Sequence, residues 1–93
     1  MAYKVKSTTK FRRDLKRCMK RGWKMEKLDA VVKSLEQYGV APAETGPHPL
    51  KGSYKGYMEC HIEPDWLLVW RVYRKQLILM MTDTGTHSEL FKK

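Results

Sequence analysis

Five residues in the second half of the chain have side chains that could together cleave RNA. His48, His61 and His87 suit either proton-transfer role because the histidine pKa lies near neutral pH, and Asp65 adds a carboxylate. RNA carries its own nucleophile in the ribose 2′-hydroxyl, so cleavage needs only a base, an acid and cations that hold the phosphate. Phe91 follows on a predicted helical turn and could stack a base beside the cut. This set predicts RNA cleavage without a metal.

The common motifs of metal and nucleotide-cofactor sites are missing from the sequence. It has no HExxH, CxxC or HxH pattern, which argues against zinc, and no GxxxxGK[ST] or GxGxxG loop. Cys60 directly precedes His61, and neighbouring side chains on a strand point to opposite faces, so they do not form a nucleophile and base pair. We therefore expect Cys60 to be a buried structural thiol, and we expect neither a metal nor another cofactor.

Positive charge is concentrated in the first half of the chain. The net charge is +9, and residues 1–38 hold twelve Lys/Arg against four Asp/Glu, whereas residues 39–93 hold seven against six. Clustered cations and a pI near 9.7 are typical of nucleic-acid binding, and the alternative is a solvated helix face that keeps the protein soluble. The cations expected to contact RNA from the first helix are Lys10, Arg12, Arg13 and Lys16.

The first half predicts one strand and two helices. The alternating segment YKVKS is typical of a short strand, and Ser7, Thr8 or Thr9 could cap a helix that stops at Gly22. A second helix ends near Tyr38 and Gly39. Both helices have apolar residues at helical spacing. These stripes comprise Phe11, Leu15, Cys18 and Met19 in the first helix, and Met25, Leu28, Val32 and Leu35 in the second.

The second half predicts a loop and three strands. Three prolines and three glycines in VAPAETGPHPLKGSYKG disfavour regular structure, and YMECHIE, WLLVWRVY and QLILMMT are typical of strands. A tight turn at Arg74 and Lys75 joins the last two strands, and a helical turn is expected from Ser88. The sequence thus predicts a single α+β domain over residues 1–93, of order β-α-α-β-β-β. Two helices cover one face of a mostly antiparallel sheet, and the other face is free.

The composition predicts a soluble cytoplasmic protein. No apolar run approaches the roughly 18 residues of a membrane span, and no apolar stretch follows the basic N-terminus as it would in a secretory signal. Two cysteines are too few for a disulfide framework, which fits a reducing compartment.

Two motifs give the chain a family resemblance. HPLKGSYKGYMECHIEPDWLLVW, followed by TGTHSELF, resembles the YafQ branch of the RelE/ParE superfamily of bacterial type II toxins, and the basic helix pair and strand order also fit. The resemblance spans nearly the whole chain. It implies a RelE-like fold and a ribosome-dependent mRNA endoribonuclease, which cuts messages in the A site of the 70S ribosome and leaves a 2′,3′-cyclic phosphate. It also implies a cognate antitoxin protein.

The same resemblance assigns the active-site residues. The family positions fall on His48, His61, Asp65, His87 and Phe91, the residues that the chemistry selected. His87 is the expected general acid, the other histidines and Asp65 supply the base and hold the phosphate, and Phe91 orders the RNA.

Position 83 departs from the family pattern. Members often have arginine immediately before TGTH, where it can stabilise the pentavalent phosphate, and this chain has Asp83. We expect another cation to replace it, and the candidates are Arg71, Lys51 and Lys55. The alternatives are that Asp83 tunes a neighbouring histidine or that catalysis is weaker.

Two other functions remain compatible with these observations. One is a catalytically inactive protein of the same fold that only binds nucleic acid or its antitoxin. Asp83 and the positive charge of the first half of the chain suggest this possibility. The other is a ParE-like inhibitor of gyrase on the same fold, against which the histidines argue.

Overall fold

The computed structural model describes residues 2–91, which form three α-helices and one five-stranded sheet. The elements are β1 (Lys4–Ser7), α1 (Thr9–Lys20), α2 (Met25–Tyr38), β2 (His48–Pro49), β3 (Tyr57–Glu63), β4 (Trp66–Tyr73), β5 (Ile78–Gly85) and α3 (His87–Leu90). Single 3₁₀ turns at Ala43–Thr45 and Gly52–Tyr54 flank β2. None of the helices between residues 2 and 91 is long and apolar enough to cross a membrane.

The sheet has the strand order β1-β5-β4-β3-β2. Only β1 and β5 pair in parallel, and the other neighbours are antiparallel, which confirms the predicted α+β class and the mostly antiparallel sheet. The sequence did not predict β2, because Pro47 and Pro49 favour a loop. This strand has two residues and lies at the sheet edge, where proline is tolerated.

Local chemistry sets the ends of the two long helices. The Thr8 hydroxyl accepts a hydrogen bond from the backbone N–H of Phe11 at 3.0 Å and caps α1. Gly39 ends α2 with a φ of 74°, the left-handed conformation that favours glycine. The Tyr3 ring lies where a side chain at position 39 would be, which is a second reason for glycine there.

The core lies between the two long helices and the sheet. Trp66, Leu68 and Trp70 alternate along β4 toward the helices and are buried. They pack with buried side chains of the other elements, namely Phe11, Leu28, Val31, Leu35, Ala41, Cys60, Leu79 and Met81. Cys60 is 0% exposed, which confirms the prediction of a buried thiol, and burial raises the pKa of this thiol to about 11.

The opposite face of the sheet is less open than the sequence indicated. Leu67 and Val69 point to this face by alternation, and both are buried. Tyr54, from the turn before β3, and Phe91, after α3, contact each other edge-on with ring centroids 5.2 Å apart. The second face therefore has an apolar centre, and polar side chains surround it.

Asp14 connects α1 to the part of β5 that extends beyond β1. The pairing of β1 with β5 ends at Met81, and the Asp14 carboxylate accepts a hydrogen bond from the Thr84 backbone N–H at 3.3 Å. Asp14 is 2% exposed, and Lys10 Nζ and Arg17 Nη2 pair with it at 2.7 and 3.0 Å. The buried Asp14 carboxylate thus supplies the hydrogen-bond acceptor that the Thr84 N–H at this strand edge would otherwise lack.

A chain of alternating charges continues from Asp14 to α3. Arg17 and Arg21 both pair with Glu89, and Glu89 also accepts a hydrogen bond from the Thr86 backbone N–H at 3.0 Å in a capping box. The hydrogen bonds from Arg21 hold the pKa of Glu89 well below its usual range, against the opposing effect of burial. Helix α3 is therefore attached to α1 through one carboxylate.

We predict that Asp14→Asn lowers the free energy of unfolding by about 1–3 kcal/mol, because charge-assisted hydrogen bonds to Lys10, Arg17 and Thr84 are weakened. Urea denaturation measures the change. Asp29→Asn is the matched control, since Asp29 is exposed on α2. Equal stability of the two variants would refute a structural role for Asp14.

Replacement of Glu89 by glutamine should produce a stability loss that depends on pH. A carboxylate with a depressed folded-state pKa stabilises the fold fully above its unfolded-state pKa of about 4.3, and this contribution is lost as the pH falls through the folded-state value. We therefore expect Glu89→Gln to lower the free energy of unfolding by about 1–2 kcal/mol at pH 7 and by less at pH 3. This range allows for the solvent exposure of Arg17 and Arg21, which weakens their ion pairs. Urea titrations at both pH values test this, with Glu36→Gln as the exposed control. A loss that does not change with pH would contradict the prediction.

Candidate active site

Strand register places the candidate residues in rows on the face opposite α1 and α2. His48 of β2 pairs with Glu59 of β3, Glu59 with Val69 of β4, and Val69 with Asp83 of β5. His61 follows Glu59 by two residues and therefore points to the same face in the next row. The sheet thus brings together residues that are up to 35 positions apart in sequence.

Glu59 joins two of the three histidines. Its Oε1 lies 2.9 Å from His48 Nε2 and 3.6 Å from His61 Nε2, and the residue is 6% exposed. The hydrogen bond to Glu59 orients the His48 ring, whereas His61 Nε2 is buried without a hydrogen-bond partner among residues 2–91. Sequence reasoning missed Glu59, although its spacing of two from His61 in YMECHIE was a usable signal.

His87 is held by Asp65 from the turn between β3 and β4. The Asp65 Oδ1 accepts hydrogen bonds from the His87 backbone N–H at 2.9 Å and from Nδ1 at 2.7 Å. The backbone bond and then the side-chain bond lower the pKa of Asp65. Because an ionised carboxylate only accepts, Nδ1 carries the proton and Nε2 remains for a ligand.

The two histidine groups face each other across a short gap. The ring centroids of His61 and His87 are 5.4 Å apart and tilted by 54°. Two imidazoles at this separation can act on opposite sides of one reacting group, with one as base and the other as acid. The structure therefore brings together His48, His61, Asp65 and His87, as the sequence predicted.

Aromatic side chains form one wall of this site. Phe91 lies beside Tyr54, and the rings of Tyr54 and Tyr57 are 6.4 Å apart and nearly perpendicular. Sequence reasoning selected Phe91 and missed the two tyrosines, although both lie within the GSYKGY segment of the family motif. This wall offers faces on which RNA bases could stack.

The predicted cations fall into two groups. Arg71 extends over the rings of Tyr57 and Tyr73 at 5.3 and 5.6 Å, and Lys51 and Lys55 flank the turn that carries Tyr54. All three are exposed, and none forms an ion pair within residues 2–91. They are therefore available to bind phosphate.

The other group lies on α1. Arg12, Arg13 and Lys16 line a surface cleft of about 290 Å³ together with Thr9, and the structure does not bring them to the histidines. Lys10 differs, because it reaches Asp83.

Asp83 pairs with a lysine of α1. Its Oδ1 lies 2.8 Å from Lys10 Nζ, and Lys10 also pairs with Asp14. Burial lowers the pKa of Lys10, but the hydrogen bonds to Asp14 and Asp83 outweigh it and raise the pKa. Because the charged partner of Asp83 is Lys10, the structure does not support the alternative in which Asp83 tunes a histidine.

Comparison with known proteins identifies relatives along the whole chain. The family model described as the bacterial toxin of the type II toxin-antitoxin system, YafQ, matches residues 3–92. The mRNA interferase toxin YafQ of Escherichia coli strain K12 is 36% identical over 88 residues, which are 94% of this chain and 94% of that protein. The name of that relative agrees with the prediction of an mRNA-cleaving enzyme.

Solved structures agree with the sequence matches. The E. coli DinJ-YafQ toxin-antitoxin complex contains a chain that superposes with a TM-score of 0.87 at 35% identity, covering 98% of this chain and 99% of that chain. A metal-bound toxin from Helicobacter pylori superposes with a TM-score of 0.87 at 37% identity, covering 98% and 100%. The predicted RelE-like fold is confirmed. This chain belongs to the YafQ family of toxins of bacterial type II toxin-antitoxin systems.

Proposed function

We propose that this protein is an mRNA endoribonuclease toxin that cleaves messages on the ribosome and inhibits translation. The observation that carries the proposal is the pair of histidine groups, His61 with Glu59 and His87 with Asp65, whose rings are 5.4 Å apart. Such a pair can take a proton from the ribose 2′-hydroxyl, which is the nucleophile that RNA supplies, and give a proton to the leaving 5′-oxygen.

The first chemical step belongs to the Glu59 group. His48 and His61 lie 2.9 and 3.6 Å from the carboxylate of Glu59, and a neutral imidazole of this group takes the proton from the ribose 2′-hydroxyl. The 2′-oxygen then attacks the adjacent phosphorus, and the bond to the 5′-oxygen of the next nucleotide breaks. The products are a 2′,3′-cyclic phosphate and a 5′-hydroxyl.

The second proton transfer belongs to His87. The protonated imidazole gives its Nε2 proton to the leaving 5′-oxygen, while Asp65 holds Nδ1 and stabilises the positive charge before the transfer. The pKa of Asp65 is depressed, so this residue stays ionised wherever histidine titrates.

Arg71 is the cation best placed to stabilise charge on the phosphate. It follows Val69 by two residues on β4, and Val69 pairs with Glu59, so Arg71 lies on the same face in the adjacent row. Its guanidinium has no carboxylate partner within the described residues, and guanidinium binds phosphate oxygens in a bidentate manner. Arg71 therefore supplies the charge that Asp83 cannot.

The cations of α1 give the protein its attachment to the ribosome. Arg12, Arg13 and Lys16 line one cleft that contains no acidic residue, and they lie apart from the histidines. We assign this surface to phosphates of ribosomal RNA, so that the ribosome presents the A-site codon to the catalytic face. An enzyme with these partners acts in the cytoplasm.

A cognate antitoxin protein completes the proposal. A related toxin has been crystallised with the antitoxin DinJ. The net charge of +9 favours an acidic partner segment that covers the face carrying His48, His61 and His87. Co-purification with its antitoxin, and toxicity when the toxin is expressed alone, are the expected observations.

His87→Ala should lower the rate of mRNA cleavage by about 100-fold or more, because the leaving oxygen loses its proton donor. Purified protein is incubated with programmed 70S ribosomes, and 5′-hydroxyl products are mapped by primer extension. Lys33→Ala, at an exposed position on α2, is the control. If wild type binds ribosomes and cuts nothing, the protein is a silent binder; if His87→Ala cuts at the full rate, His87 is not the acid.

Arg71→Gln should lower the cleavage rate by about 10- to 100-fold with little change in ribosome affinity, because the lost interaction forms mainly in the transition state. Arg74→Gln, three residues further in the turn after β4, is the matched control. Single-turnover cleavage and filter binding separate the two effects. A loss confined to ribosome affinity would assign Arg71 to docking.

A further inference from the structure

A second cleft opens beside the aromatic wall of the active site. It has a volume of about 350 Å³ and is lined by Tyr54 and Tyr57 on one side and by residues of α1 and β5 on the other. These opposing residues are Thr8, Lys10, Thr82 and Asp83. Because β4 lies between β3 and β5, the cleft crosses the face of β4 next to the histidine rows.

The charges in this cleft do not suit a phosphate. Lys10 is the only cation among the described residues that line it, and this ammonium group already pairs with Asp14 and Asp83. The cleft on α1 provides the contrast, since Arg12, Arg13 and Lys16 there face no acidic lining residue. An anion entering the cleft beside Tyr57 would meet the Asp83 carboxylate, so a neutral ligand fits this cleft better.

Asp83 is the one carboxylate among the described residues that line the cleft, which also include Ser53, and it is the strongest acceptor there for a ligand. The hydroxyls of Thr8 and Thr82 already reach backbone carbonyls, those of Thr82 at 3.5 Å and Val69 at 3.2 Å. Lys10 contacts Oδ1 of Asp83, and Oδ2 has no hydrogen bond or ion pair among residues 2–91. The Asp83 side chain is 22% exposed, so a bound ligand would displace water from Oδ2. A hydrogen-bond donor on the ligand would then replace the hydrogen bond that this oxygen loses.

The aromatic residues indicate the kind of neutral ligand. Tyr54 contacts both Phe91 in the active site and Tyr57 in this cleft, so the stacking surface is continuous from one to the other. RNA bases are recognised by stacking on such rings and by hydrogen bonds at their edges. A nucleotide next to the cleaved bond would therefore place its base here.

We propose that the cleft between Tyr57 and Asp83 is a nucleobase subsite that prefers adenine, cytosine or guanine to uracil. The inference rests on the proposed mRNA cleavage and specifies its substrate. Each of the three preferred bases has an exocyclic amino group that donates to a carboxylate, as aspartate accepts from cytosine N4 in known complexes. Uracil has no exocyclic amino group, and its one Watson–Crick-edge donor, N3–H, lies between two carbonyl oxygens that the Asp83 carboxylate repels.

The test measures single-turnover cleavage on ribosomes programmed with mRNAs that differ at one nucleotide flanking the cut. At one position we expect uracil to be cleaved about tenfold more slowly than the other bases. In Asp83→Asn the side chain keeps its shape and can still accept a hydrogen bond from Lys10. Its carboxamide can also donate a hydrogen bond to a carbonyl oxygen of uracil. We therefore expect this variant to reduce the discrimination to less than about threefold. Asp29→Asn should retain the wild-type profile.

A wild type that cleaves without disfavouring uracil at any flanking position would overturn the subsite, as would Asp83→Asn with the wild-type base profile. Neither result would affect the proposed nuclease.

Binding of non-cleavable RNA separates the two proposals. Tetranucleotides with 2′-O-methyl riboses are added to the wild type, and NMR shifts are followed at Thr82 and Asp83. Larger chemical-shift changes with bases that carry an amino group, which disappear in Asp83→Asn, would support the subsite. If these changes occur and the protein cleaves no mRNA on ribosomes, only the proposed function is refuted. Equal shifts with uracil overturn the subsite.

Discussion

The buried carboxylate of Asp14 is the interaction on which the active-site architecture depends. It accepts the Thr84 N–H at the strand edge that β1 leaves uncovered, and it pairs with Lys10 and Arg17. From there Arg17 reaches Glu89, which caps the helix that carries His87. A buried acid of this kind is stable only with all of its partners, because an unpaired buried charge is costly. Asp14 therefore helps to position His87 through Arg17 and Glu89, in addition to the direct hydrogen bonds from His87 to Asp65.

Much of the fold was predictable because local rules and the global structure agree. Alternation marked β3, and a nearly continuous apolar run marked β4. Thr8 caps the start of α1, Gly39 ends α2, and α3 begins at His87, one residue before the predicted turn. The histidines were found because few side chains can transfer protons near neutral pH. Single-residue chemistry and short-range periodicity thus carry most of this information.

The remaining features depend on register and on contacts between distant segments. Glu59 becomes a partner of His48 only when β2 pairs with β3, and β2 is a two-residue strand that its prolines conceal. The pairing of Lys10 with Asp83 joins residues 73 positions apart, and it requires both α1 and the irregular pairing of β4 with β5 around Thr82. Neither periodicity nor residue type encodes such contacts.

Under the proposed function, the charge distribution separates attachment to the ribosome from recognition of the message. The excess positive charge that gives the chain its net +9 lies largely in the first half, where Arg12, Arg13 and Lys16 share a cleft without acidic lining residues. In contrast, the carboxylates Glu59 and Asp65 pair with histidines, and Asp83 pairs with Lys10. Attraction to phosphate is nonspecific, and hydrogen bonds to base edges carry sequence information. On the catalytic face, the proposed mechanism leaves phosphate binding to Arg71, which has no ion-pair partner among residues 2–91, and leaves base selection to stacking and hydrogen bonds.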